Sequence, residues 1–172
     1  MEKGFGWKGI LAEPATCWHD ALRKNRPATA IETKCVWSES GKVLEFNMAS
    51  EAELSTITTF NSRDQHAEKR KNGVTYNVET ISLTDLLRHH NAPMDIDYLS
   101  IDTEGSEFEI LRNFDFSTYR IGIITCEHNF TSDRQKIFEL LTSKGYQRKY
   151  SRASKWDDWY VMDAGAMIDS GV

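Results

Sequence analysis

Two short apolar runs separated by a helical segment constrain this chain most: Ile96-Asp97-Tyr98-Leu99-Ser100-Ile101-Asp102 and Ile121-Gly122-Ile123-Ile124-Thr125-Cys126. Both are shorter than a typical buried helix and rich in isoleucine, so each reads as a strand covered on both faces. Between them, 105–114 carries Phe108, Ile110, Leu111 and Phe114 at helical spacing. A strand, a crossover helix and a second strand of the same sense form a parallel pair. A third buried run, Gly9-Ile10-Leu11-Ala12-Glu13, is stopped by Pro14. The expected class is α/β, with a mostly parallel, Rossmann-like sheet between layers of helix.

The remaining segments fit that frame. A helix is expected over 16–24, with Trp18, Ala21 and Leu22 facing inward. The runs 30–37 and 42–47 read as two strands around a hairpin turn at Ser40-Gly41. A strand at 76–81 leads to Ser82, the N-cap of a helix reaching about His90. Ile137, Phe138, Leu140 and Leu141 stripe a helix over 133–144 that Gly145 closes. The closely spaced runs 147–151 and 159–162 read as an antiparallel hairpin at one edge of the sheet. Residues 49–73 are polar and charged and read as a surface insertion or lid on a single domain spanning 1–165. Residues 166–172 read as a tail.

Composition excludes several roles. A length of 172 residues suits one domain, and a net charge of −5 argues against a nucleic-acid partner, whose phosphates call for a basic face. No apolar run reaches the roughly 18 residues of a membrane helix, and no signal-peptide pattern opens the chain. Cys17, Cys35 and Cys126 are far apart without metal-ligand spacing, which suits a reduced, cytoplasmic setting.

Chemistry gathers where the buried strands end, because open α/β sheets bind ligands beyond the carboxyl ends of their strands. Three such runs end in acids: Glu13, Asp102, and Glu127 beside His128. A carboxylate at the Glu13-Pro14 turn is acceptor-only and bidentate, which suits the two hydroxyls of a ribose. In Asp102-Thr103-Glu104-Gly105-Ser106-Glu107, Asp102 is the candidate anchor or general base. Glu107 reads as a helix-start acid. His128 could take a proton from a hydroxyl, with Glu127 orienting it, or could be a loop histidine. Asp102, Glu104 and Glu127 could instead hold a hard divalent cation and serve a metal-dependent hydrolase. His19, His66, His89 and His90 read as surface residues. Gly4-Phe5-Gly6-Trp7-Lys8-Gly9 spells a dinucleotide fingerprint but precedes a strand instead of following one, so it has no mechanical meaning here. Asn129-Phe130-Thr131 reads as an accidental glycosylation sequon.

The runs 7–14, 96–107 and 124–129, with the closing Trp156-Asp157-Asp158-Trp159-Tyr160-Val161, resemble the FkbM family of S-adenosylmethionine-dependent methyltransferases. The resemblance spans about 5–162. It implies a seven-stranded methyltransferase fold and O-methylation of a hydroxyl on a sugar or other small molecule. Glu13 and Pro14 then hold the cofactor ribose, Val36, Trp37 and Ser38 line the adenine, and Asp102 lies beside the methyl group and the acceptor. Asp102, His128 and Glu127 are the catalytic candidates. The family's first strand and glycine-rich loop would lie just upstream of Glu2, which implies an N-terminally truncated sheet whose uncovered strand edge favours a homodimer. The other reading is a folded, cofactor-free fragment or oligomeric module without catalysis.

Overall fold

The computed structural model describes residues 2–62, 64–152 and 154–163, so the tail expected at 166–172 lies outside the described residues. The chain opens with α1 (Glu2–Phe5) and β1 (Ile10–Ala12), and a short 3-10 turn leads into α2 (His19–Asn25). β2 (Ala30–Glu32), β3 (Cys35–Trp37) and β4 (Val43–Met48) follow, then β5 (Thr56–Ile57) and α3 (Ala67–Arg70). β6 (Val74–Ser82) runs directly into α4 (Leu83–His89). β7 (Asp95–Ile101), α5 (Glu107–Arg112), β8 (Arg120–Glu127), α6 (Asp133–Ser143), β9 (Tyr146–Lys149) and β10 (Asp157–Met162) complete the described chain.

The central pair is as expected: β7 and β8 are parallel, with Ile96 opposite Ile121 and Ile101 opposite Cys126. β10 joins β8 antiparallel, and β9 closes that edge antiparallel to β10. The sheets as a whole are mixed, which corrects the mostly parallel expectation. β1 and β2 form a separate parallel pair, and a further sheet runs β3-β6-β4-β5. In that sheet β6 is parallel to β3 but antiparallel to β4. The Ser40-Gly41 hairpin is therefore not formed. Thr80 of β6 enters between its two arms, giving its hydroxyl to Glu39 O at 2.8 Å and taking the Lys42 N–H at 3.0 Å.

The main core lies between this central sheet and α4, α5 and α6. Leu111, Ile121, Ile124, Leu141 and Tyr160 are completely buried. Gly122 sits where β7 comes closest: a Cβ there would lie 3.1 Å from Asp97 O. Ser82 caps α4 as expected, accepting the Asp85 N–H at 3.1 Å. α2 departs from expectation, for none of its residues is buried and Trp18 before it is 40% exposed. The narrow β1–β2 pair offers too little surface to cover a helix face. A second core of Ala15, Cys35, Phe46, Ile57, Phe60 and Val78 joins β3, β4 and β6 to the 49–73 segment. Among the described residues no helix is long and apolar enough to cross a membrane.

Candidate functional site

The carboxyl ends of β1 and β7 open onto one cavity of about 100 Å³. Glu13 and Pro14 form one wall, Cys35 and Val36 a second, and Asp102 with Glu104 a third, while Ser55 and Ile57 close it from the 49–73 segment. Residues that read as a polar surface excursion thus include a wall of the site.

Glu13 is held by its own turn. Its Oε1 accepts the Ala15 N–H at 2.7 Å, and its backbone carbonyl meets His19 Nε2 at 2.8 Å. Tyr76 braces the turn from the other side, donating its hydroxyl to Pro14 O at 3.0 Å. Burial raises the Glu13 pKa above its ordinary value, against the lowering influence of the Ala15 N–H and His19. The carboxylate in turn adds to the effect of burial on Cys35, whose thiol is pushed up to about 12. Cys35 is therefore a neutral wall at physiological pH and no nucleophile.

The three acids after β7 have three different tasks. Glu107 is 6% exposed, and its carboxylate gathers the loop: Oε1 accepts the Thr103 N–H at 2.8 Å and the Thr103 hydroxyl at 2.9 Å, and both oxygens lie 3.1 Å from the Gly105 nitrogen. This brace is a more specific task than the helix-dipole role expected of it. Gly105 has φ 119°, and a Cβ there would lie 3.3 Å from the Phe60 ring, so the turn requires glycine. Glu104 sits at φ 57° and points inward to an arginine. Asp102 stays exposed on the cavity wall.

Arg70, the last residue of α3, is the arginine that meets Glu104. Its guanidinium is fully buried and forks onto Asp64 with two bonds of 2.9 Å. Nη2 also reaches Glu104 Oε2 at 2.7 Å, and Nε donates to Leu54 O at 2.6 Å. Asn129 Nδ2 adds a bond of 3.1 Å to the same Glu104 oxygen. Asn129 and Phe130 carry φ values of 40° and 56°, so left-handed non-glycine residues flank the acids on two loops. Such strain persists only where surrounding structure enforces it, and it clusters at functional sites.

Glu127, at the end of β8, completes the cluster. One carboxylate oxygen from each of Asp102, Glu104 and Glu127 lies within 4.8 Å of the others. Burial, then the charge of Asp102, drives Glu127 far above the ordinary carboxylate range, and a hydrogen bond joins the two side chains. Glu104 is pushed up to about 7, chiefly by burial and against the pull of Arg70. Acids this close cannot all be ionised, and Glu127 is the one that keeps its proton at neutral pH.

His128 does not join them, which corrects the expectation that Glu127 orients it as a base. It is 4% exposed; its Nδ1 accepts the Phe130 N–H at 3.1 Å, and its Nε2 lies 4.0 Å from Asp158. Burial and the Arg134 charge lower its pKa, so the ring is neutral and structural. Asp158 itself is held by Arg134 through two bonds of 2.7 Å.

The sequence model of the methyltransferase FkbM domain matches residues 5–148. The chain belongs to the FkbM methyltransferase family. No curated protein and no solved structure matches it significantly. In this FkbM chain Glu13 and Asp102, from two sheets, share the cavity wall with Val36, and Glu127 stands beside Asp102. Trp37 and Ser38 do not line the cavity; the Trp37 ring packs edge-on against Phe60, with centroids 5.8 Å apart. Arg70, Asp64 and Asn129 were not legible in the sequence. Arg70 lies among Lys69, Lys71 and Glu68, and nothing in one dimension separates the single buried charge from its solvated neighbours.

Proposed function

We propose that this FkbM domain transfers a methyl group from S-adenosylmethionine to a hydroxyl of a small molecule or sugar. The observation that carries this reading is the convergence of Glu13 and Asp102, from two separate strands, on one cavity. The residues present fit such a cofactor. Glu13 has only Oε1 engaged by a described group, which leaves Oε2 for a ribose hydroxyl. Three crowded carboxylates favour a cationic sulfonium and ammonium at Asp102, Glu104 and Glu127. The cavity is smaller than the roughly 300–1,000 Å³ of most small-molecule sites, so a nucleoside cofactor would extend beyond it along the open sheet edge.

When bound, the cofactor supplies an electrophilic methyl group on its sulfonium sulfur. Asp102, on the cavity wall, accepts the acceptor hydroxyl's proton, while Glu127, held far above the ordinary carboxylate range by burial, keeps its own proton beside it. The exposed ring of Phe130 packs edge-on against Trp156, 5.6 Å between centroids, on the loop after Glu127. These rings offer an apolar platform for the acceptor beside the acids.

The test is calorimetric titration with S-adenosylhomocysteine. The chain is expected to bind, and Glu13→Gln to bind about tenfold to hundredfold more weakly, as when a buried polar partner is lost. No binding by the unaltered chain would overturn the cofactor reading, and equal binding by the variant would remove Glu13 from the site. Each of β1 and β7 has a single strand partner among the described residues, so one edge of each is open. A second copy of the chain covering those edges would form a homodimer, which sedimentation velocity would detect.

A further inference from the structure

A second cluster lies away from the acids, where the end of β2 meets the end of α4. We propose that Glu32, His89 and His90 form a binding site for a divalent transition metal, with zinc the best match. The three residues present ligand atoms that all lie within 4.8 Å of one another. The decisive atom is His90 Nε2. It is buried and has no hydrogen-bond partner, yet it faces Glu32 Oε2 at 3.7 Å. That separation is too long for a hydrogen bond, whose usual limit is about 3.2 Å. It is close to the roughly 3.4 Å between two donors on one tetrahedral ion at zinc's ligand distances.

The surrounding structure holds both sides in place. Glu32 is 8% exposed, and its Oε1 accepts the Thr33 and Lys34 N–H groups at 2.9 and 3.0 Å, which leaves Oε2 directed at the ring. α4 ends at His89, and two residues later Asn91 turns the chain at φ 51°, so that the Ala92 N–H reaches Leu87 O at 2.9 Å. That ending sets two consecutive histidines with ring centroids 4.8 Å apart and nearly perpendicular planes. The nearby cations are already paired: Lys34 with Glu79 and Arg88 with Asp85, each at 2.6 Å. Two imidazoles and one carboxylate suit zinc, whereas the oxygen-only set at Asp102, Glu104 and Glu127 suits magnesium or manganese. Three protein ligands leave a fourth position for water on the side of the exposed His89. Glu32 O also accepts the Glu13 N–H at 2.9 Å, so an ion here would steady the strand end that carries Glu13.

The experiment uses the tag-free chain stripped with a chelator. Zinc chloride is titrated calorimetrically, and thermal melts are run with zinc and with magnesium. The expected result is one zinc per chain, a rise in Tm with zinc, and a visible cobalt(II) spectrum without a thiolate band. His89→Ala, at an exposed position, and Glu32→Gln should each weaken zinc binding by at least about tenfold. Glu127→Gln should leave it unchanged. Failure to bind micromolar zinc, undiminished binding by His89→Ala and Glu32→Gln, loss of binding in Glu127→Gln, or a thiolate band with cobalt would each overturn the proposal.

Discussion

Replacing Arg70 by methionine should lower the free energy of unfolding by about 3–5 kcal/mol, the usual cost of removing one partner from a buried ion pair. The side chains of Arg70, Asp64 and Glu104 are 0%, 2% and 6% exposed, so water does not replace the lost guanidinium. The reference state matters here. The ion cluster need not outperform an apolar one, but once built it cannot lose its cation alone. Arg70→Lys should recover little, because one ammonium cannot reproduce the fork onto Asp64 together with the bonds to Glu104 and Leu54. A triple variant, Arg70→Met with Asp64→Asn and Glu104→Gln, should recover a large part of the loss by removing the stranded charges. Urea denaturation with an unchanged m-value measures all three. A loss under about 1 kcal/mol in Arg70→Met would mean that the segment carrying it is not packed against Glu104 in solution.

Glu127→Gln should separate activity from stability. Methyl transfer is expected to fall, but by less than the roughly 10²–10⁴-fold of losing the base itself, because Asp102 remains and loses only the carboxyl that positions it. The fold should become more stable at neutral and alkaline pH, because Glu127 is buried and also crowded by Asp102 and Glu104. The sign follows from linkage. Glu104 and Glu127 both have folded-state pKa values raised above their ordinary value near 4.5, Glu104 to about 7 and Glu127 higher still. Their protonated forms contribute stability that is complete below pH 4.5 and is lost as pH rises through 7 and beyond. Asp158 acts in the opposite sense: burial opposes its charge, but the Arg134 hydrogen bonds and charge leave its pKa lowered. Its contribution is lost only as pH falls below the ordinary aspartate value near 3.8. Melts of the unaltered chain should therefore show Tm falling from pH 5 to 9, and the Glu127→Gln curve should be flatter. Parallel curves would show that Glu127 is not the group titrating there.

The β7–α5–β8 unit was legible because its periodicity is local: apolar runs of strand length on either side of a helical stripe can pack in few other ways. The same logic exposed Glu13, Asp102 and Glu127, since each stands at the carboxyl end of its strand. The split of the 30–48 region was not legible. Ser40-Gly41 does turn the chain, with Gly41 at φ 77°, but whether β3 and β4 pair depends on Thr80, some forty residues later. Turn residues report chain direction and carry no information about which strand fills the neighbouring position.

The site divides along the same line. The order of residues along the strands determined which carboxylates would stand at the strands' carboxyl ends, because side chains at a strand's end project beyond it whatever packs around them. Tertiary structure alone decided what each carboxylate does. It turned Glu104 onto Arg70, closed Glu107 over its own loop, paired Glu127 with Asp102, and set His128 against Asp158. It also brought His90 to Glu32, from a place where the sequence showed only a polar helix end. The physical reason is common to all of these cases. A charged side chain's task is set by its burial and by the charges within a few ångströms of it, and both come from segments distant in sequence.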